Sequence, residues 1–187
     1  MSYDNVMEYK LVPTETFPIL RDCSGCGGMQ VHICKKNFRI NANGNRLDVW
    51  LIYGCAKCGH TYNLPIYERI DKSRLPAAEY RKFLENDAAA VFRYGTDKTI
   101  LRKSRVRIAW EQADYELVRQ AENRGDMTAE ETKTFIRLQN PYGFPVREDK
   151  IASEILSVSR GKAKELLKKE LLVVSIVKED TFKGRDT

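Results

Sequence analysis

Two pairs of cysteines carry the strongest chemical signal in this chain. Cys23-Ser-Gly-Cys26 is echoed by Cys55-Ala-Lys-Cys58, and glycine follows each pair at once, Gly27 and Gly28 after the first and Gly59 after the second. A C-x-x-C bend turns two thiolates to one side, and the glycine after it lets backbone amides approach the sulfurs. Two such bends complete a tetrahedral shell. With Cys23, Cys26, Cys55 and Cys58 filling all four positions, no place remains for a reacting water, so the pattern predicts one structural Zn2+ per chain. Iron also accepts four thiolates, and the spacing does not separate the two metals. A thioredoxin-type redox pair fits less well, because neither bend opens a helix in a βαβ unit. Cys34 stands outside both pairs and reads as a small buried hydrophobe, His32 as structural, and His60 as a neighbour of the second bend.

The elements that must hold these bends read as β. Met29 to Cys34 and Phe38 to Ile40 are short extended runs, and N-A-N-G-N supplies an Asn-Gly turn. R-L-D-V-W-L-I-Y-G then leads into the second bend, and T-Y-N-L-P-I-Y-E-R-I offers another strand. The long stretch between the bends adds little, since loop closure grows only logarithmically, by under about 1 kcal/mol here. Knuckle, hairpin, knuckle and strand resemble a zinc ribbon over roughly residues 20 to 70.

From Pro76 to Gly95 the apolar spacing of Tyr80, Phe83, Leu84, Ala88, Val91 and Phe92 predicts one helix or two short ones. Residues 93 to 107 are the most basic window. There Ile100, Leu101, Val106 and Ile108 would anchor a strand or loop, with Arg102, Lys103, Arg105 and Arg107 facing outward toward phosphate. Residues 111 to 124 read as helix, Thr128 and Glu131 as a capping box, and F-I-R-L-Q as a short strand before a turn rich in Pro and Gly. These breaks divide the chain into residues 1–72, a mixed middle region 73–138, and 139–187.

In the last segment Ile151, Ile155 and Leu156 mark a short amphipathic helix. Ser159 caps a second, which buries Ala163, Leu166, Leu167 and Leu171. Arg160, Lys164 and Lys168 recur at helical spacing and flank that apolar side, and the amides at Ser159 suit a phosphate. The order R-x-D-K, then L-x-V-S-R-x-x-A-K-x-L-L, resembles the α-L motif of the ribosomal protein S-four type of RNA-binding domain. The matching positions are Arg147, Asp149, Lys150, Leu156, Val158, Ser159, Arg160, Ala163, Lys164, Leu166 and Leu167. The resemblance implies a basic helical surface that grips structured RNA. It departs at Glu148, at Glu170 where the family ends its second helix with glycine, and at V-V-S-I-V-K-E-D, which lacks an Asn-Gly turn. The whole layout also resembles a bacterial family known only as a domain of unknown function, number one-zero-six-two.

The expected fold class is therefore α+β: a small antiparallel zinc ribbon, a helical middle region and an α-L module at the C-terminal end. With 187 residues, 42% hydrophobic and 31% charged, the chain is long and apolar enough to bury a core. No apolar run approaches the ~20 residues of a membrane span and no secretory signal opens the chain, so a cytoplasmic protein is expected. A net charge of +6 favours an acidic partner. The leading expectation is a non-enzymatic protein bound to structured RNA or the ribosome, with Arg147, Lys150, Ser159, Arg160, Lys164 and Lys168 on the backbone, aided by Arg102, Lys103, Arg105 and Arg107. No glycine-rich nucleotide loop, H-E-x-x-H or Ser-His-Asp set argues for catalysis or a small-molecule substrate. The alternative is a protein-interaction adaptor docking through Trp50, Tyr53 and Tyr62.

Overall fold

Alternating apolar residues on either side of the cysteine bends build an antiparallel sheet, and the computed structural model describes it within residues 5–124 and 133–177. Its strands are β2 (Ile19–Cys23), β3 (Gly28–Asn43), β4 (Arg46–Cys55), β5 (Thr61–Asp71) and the two-residue β6 (Arg107–Ile108). They stand in the order β5-β4-β3-β2-β6. Gly44, at φ 56°, closes the β3–β4 turn in the left-handed region. Register shifts between Cys34 and Phe38, where Lys36 takes φ 57°, and this bulge bends the long β3. The sheet curls into a half-barrel.

Three helices line that curl: α1 (Ala77–Leu84), α2 (Ala88–Gly95) and α3 (Lys98–Lys103). Asp87 caps α2 by accepting from the Ala90 amide, and Asp97 caps α3 by accepting from Thr99 and Ile100. Phe38 meets Phe83 edge-on at 4.8 Å, and Tyr94 lies 5.5 Å from Phe83. Tyr94 also donates to the Glu79 carboxylate at 2.6 Å. Gly95 is fixed by this packing: a Cβ there would overlap the Thr16 side chain, while its carbonyl accepts the Phe17 amide at 3.0 Å. Gly95→Ala is therefore expected to cost about 1–3 kcal/mol, read as a lowered unfolding midpoint in denaturant with the slope unchanged.

A second sheet joins strands far apart in sequence. It holds β1 (Asn5–Pro13), β7 (Tyr115–Arg124), β8 (Thr134–Gln139) and β9 (Leu172–Val177) in the order β7-β1-β8-β9. β1 runs parallel to β8, Asn5 opposite Thr134, and β8 runs parallel to β9. Parallel neighbours need a long crossover, and α4 (Glu148–Leu156) and α5 (Arg160–Lys168) provide it between β8 and β9. Ile151, Ala152 and Ala163 are fully buried at this helix pair. Asn140 closes the turn after β8, donating to the Phe144 carbonyl and accepting its amide.

The chain divides into two compact units, one of Pro13–Asp114 and the other of Met1–Val12 with Tyr115–Thr187. The first is thus inserted between β1 and β7. Its ends meet, the Thr14 amide donating to the Asp114 carbonyl at 3.3 Å.

This architecture corrects the expected fold class. The protein is mostly β with two sheets, rather than a small ribbon, a helical middle and an α-L module. The hairpin strands run well beyond a ribbon's length and take in β2 and β6, the middle of the chain supplies β6, β7 and β8, and the last helices serve a parallel sheet shared with β1. Residues 111 to 124 form a 3₁₀ turn and then β7, because pairing beside β1 outweighs their helical propensity. The basic window forms α3 before its short strand. The Thr128–Glu131 capping box lies outside the described residues.

Candidate functional site

The two C-x-x-C bends fall at the ends of strands that pair, which is why residues so far apart in sequence meet. The first follows β2 and opens β3; the second follows β4 and precedes β5, with His32 opposite Cys55. Both bends have the same form: the Gly27 amide donates to the Cys23 carbonyl and the Gly59 amide to the Cys55 carbonyl, with φ 70° and 74° at the two glycines. The four sulfurs lie within 4.8 Å of one another. Cys23 and Cys58 are 3.5 Å apart, Cys26 and Cys55 3.9 Å. Four sulfurs around one ion at ~2.3 Å lie about 3.8 Å from each other, so the donor set and its spacing fit a tetrahedral thiolate site.

The surroundings favour the charged form at one end of the set. Amides of Cys58 and Lys57 pull the Cys55 thiol down to about 6, while hydrogen bonding to the Cys58 sulfur, with desolvation, pushes Cys26 up to about 12. Four thiolates this close stay ionised together only against a cation. At Gly25 a Cβ would stand 3.2 Å from the Cys58 sulfur, a contact tight enough to push on the cluster. Outside the sulfurs, Ser24 Oγ and His60 Nε2 are 2.8 Å apart and clasp the two bends. Cys34 is buried away from the cluster, and His32 is buried with its Nδ1 at the Gln30 carbonyl, desolvation holding its pKa low.

The basic residues form two clusters, one in each unit. At the α4–α5 turn Ser157 takes a left-handed conformation, φ 53°, and Ser159 Oγ accepts the Lys162 amide. This tight turn brings α5 back against α4. Arg160 consequently reaches Asp149 with Nε and Nη2 at 3.2 and 2.8 Å, Arg147 Nε donates to the other oxygen at 3.0 Å, and Lys164 Nζ stands at 4.0 Å. The Asp149 side chain is only 7% exposed, whereas those of Arg147, Arg160 and Lys164 are 69%, 54% and 59% exposed. The Arg160 hydrogen bonds and the neighbouring cations, against desolvation, hold the Asp149 pKa below its ordinary value. Arg147 and Lys164 border a cleft of about 550 Å³ with Phe144, Leu167 and Ile176.

Lys150 is turned elsewhere, 3.8 Å from Glu154 and 4.9 Å above the Tyr115 ring. Ser159 serves as a helix cap. Lys168 is exposed and makes no ion pair among the described residues. Glu170, where the resembled family has glycine, is held at φ 57°, so the backbone there does adopt the form that favours glycine.

In the inserted unit Leu101 and Val106 are buried beneath Arg102, Arg105 and Arg107, which are exposed, as is Lys103. Asp149, named in the sequence only as a position of the R-x-D-K order, is the anchor of the α4–α5 cluster. Trp110, which borders the basic window, went unremarked although an aromatic beside arginines is itself a signal. Of the aromatic trio expected to dock a protein, Tyr53 is fully buried and donates to the Phe17 carbonyl, and Tyr62 lies beneath Arg21 at 3.5 Å.

Among the described residues, no helix is long and apolar enough to cross a membrane. No curated protein and no solved structure matches this chain. One family model does match, over residues 40–178, a span that takes in the second cysteine bend and both basic clusters but begins after the first bend. Since that span is well over half of the sequence, the chain belongs to the family described as Protein of unknown function (DUF1062).

Proposed function

We propose that this is a non-enzymatic, cytoplasmic RNA-binding or ribosome-associated protein in which a structural zinc, held by Cys23, Cys26, Cys55 and Cys58, cross-links the inserted unit. The observation that carries the RNA reading is the gathering of Arg147, Arg160 and Lys164 on Asp149. Three cations share one carboxylate, so the cluster keeps excess positive charge, and its side chains are held in place before any ligand arrives. Such a cluster suits the phosphates of structured RNA, which are recognised by shape more than by base edges. Zinc would supply cross-linking alone, since four protein sulfurs complete its shell.

Lys164→Gln with Lys168→Gln tests this while leaving both arginines on Asp149. Affinity for an RNA hairpin should fall about tenfold at low salt, and the slope of log affinity against log salt should become shallower by about 1.5, the loss of two phosphate contacts. An unchanged slope removes the α4–α5 surface from the reading.

A protein-docking adaptor is the second reading, and Met29 and Ile33 favour it. Both are 44% exposed and lie on one face of β3. Retention of a protein partner by the parent but not by Met29→Ser with Ile33→Ser, without nucleic acid in either sample, would select it.

A further inference from the structure

Beside α3 lies a groove of about 800 Å³ whose border combines charge with an aromatic ring. Lys98, Arg102, Arg105 and Arg107 stand around it with Trp110, and no carboxylate lines it. Asp97, beside Lys98, is committed to capping the Thr99 and Ile100 amides, and Glu111, which follows Trp110, is not among the residues that line the groove. The side chains of Arg102, Arg105 and Arg107 pair with no acid among the described residues, in contrast to the cations around Asp149. Arg105 is also held at φ 56°, a left-handed form that an arginine adopts at a cost of about 1–2 kcal/mol. This is the left-handed residue that ends α3, with the Arg105 amide donating to the Arg102 carbonyl and the Val106 amide to the Leu101 carbonyl, and it sets Arg105 and Arg107 on the groove border.

Trp110 is positioned as firmly. Its ring meets Phe17 edge-on at 5.2 Å, the Ala109 amide before it donates to the Pro18 carbonyl at 2.8 Å, and β6 pairs with β2 through Ile108 and Ile19. The indole is therefore a fixed, half-buried wall between arginines. Paired bases in a duplex keep their faces covered; unpaired bases offer theirs to aromatic rings while the backbone follows cations.

We infer that this groove is a single-strand site, in which an unpaired base of an RNA stacks on Trp110 while flanking phosphates lie against Arg102, Arg105 and Arg107. The inference rests on the RNA reading only for the class of ligand, since it concerns different residues in a different unit. It adds single-strand capture to the binding of structured RNA proposed for α4 and α5.

The chain has two tryptophans, so Trp50→Phe in the full protein leaves Trp110 as the only indole. Titration of that variant with six-nucleotide oligoadenylate should quench its fluorescence saturably, with a salt slope near −2 for three phosphate contacts at about 0.7 each. Adding Arg102→Gln and Arg107→Gln should weaken binding at least tenfold and flatten the slope. Trp110→Leu, read by anisotropy of labelled oligoadenylate, should weaken binding about fivefold with the slope unchanged, which separates stacking from charge. Oligoadenylate that binds without quenching, or that a short RNA duplex displaces equally well, overturns the single-strand site. So does absence of binding, whatever a hairpin does. If the oligonucleotide behaves as expected but Lys164→Gln with Lys168→Gln leaves hairpin affinity unaltered, the α4–α5 reading fails and the groove stands.

Discussion

Stripping the ion from anaerobically purified protein, or replacing Cys55 by Ser, is expected to produce the largest loss of stability of any single change in the inserted unit. The four sulfurs come from two bends joined by the whole β3–β4 hairpin, so an ion held by them would close a long loop. For a covalent cross-link enclosing the stretch from Cys23 to Cys58, the chain-entropy relation gives about 4 kcal/mol. In a unit of this size that corresponds to a fall in Tm on the order of 15 °C. The aromatic packing of Phe38, Phe83 and Tyr94 remains, so the stripped protein should keep its β signal at low temperature. Elemental analysis should give one zinc per chain in the parent and none in the variant. A metal-free parent as stable as the wild type with zinc would sink the staple.

Asp149→Asn separates two accounts of the α4–α5 cluster. If net charge alone governed RNA binding, removing a carboxylate would strengthen it. Because Asp149 instead fixes both guanidinium groups, the variant is expected to bind about tenfold more weakly, the equivalent of one charge-assisted hydrogen bond, despite its extra positive charge. The pH dependence gives a second readout with a definite sign. A carboxyl whose folded pKa is depressed stabilises above its ordinary value of 3.8 and loses that contribution as pH falls through the folded pKa. The variant should therefore be less stable than the parent at neutral pH, and the gap should close below about pH 3.8. Tighter hairpin binding by the folded variant would overturn the organising role.

What could be read from residue order follows from the range of the interactions. The cysteine bends were legible because ligand type, spacing and the glycine after each are all local, and so were the strands flanking the Asn-Gly turn at Gly44. The paired helices near the end were legible from their apolar spacing and from Ser159. What escaped was decided at long range. Nothing in the first residues indicates that β1 lies between β7 and β8, because that pairing joins Asn5 to Thr134. Without it, residues 115 to 124 look helical, and the sheets cannot be assembled from their parts. The helix at Lys98–Lys103 had a local signal, the capping Asp97, which was masked by β-branched and basic residues around it.

The insertion of one unit between β1 and β7 bears on how the molecule is made. During synthesis β1 precedes both of the strands that flank it, β7 and β8, by the whole inserted unit, and β7 follows roughly 5–20 s later at about 5–20 residues per second. During that wait the hairpin and its cysteines can fold and take up metal by themselves, because the loop they form is sealed at its base where Thr14 meets Asp114. Assembly is thus staged by connectivity, and β1 waits without its sheet neighbours until the inserted unit has been made and β7 and β8 follow it.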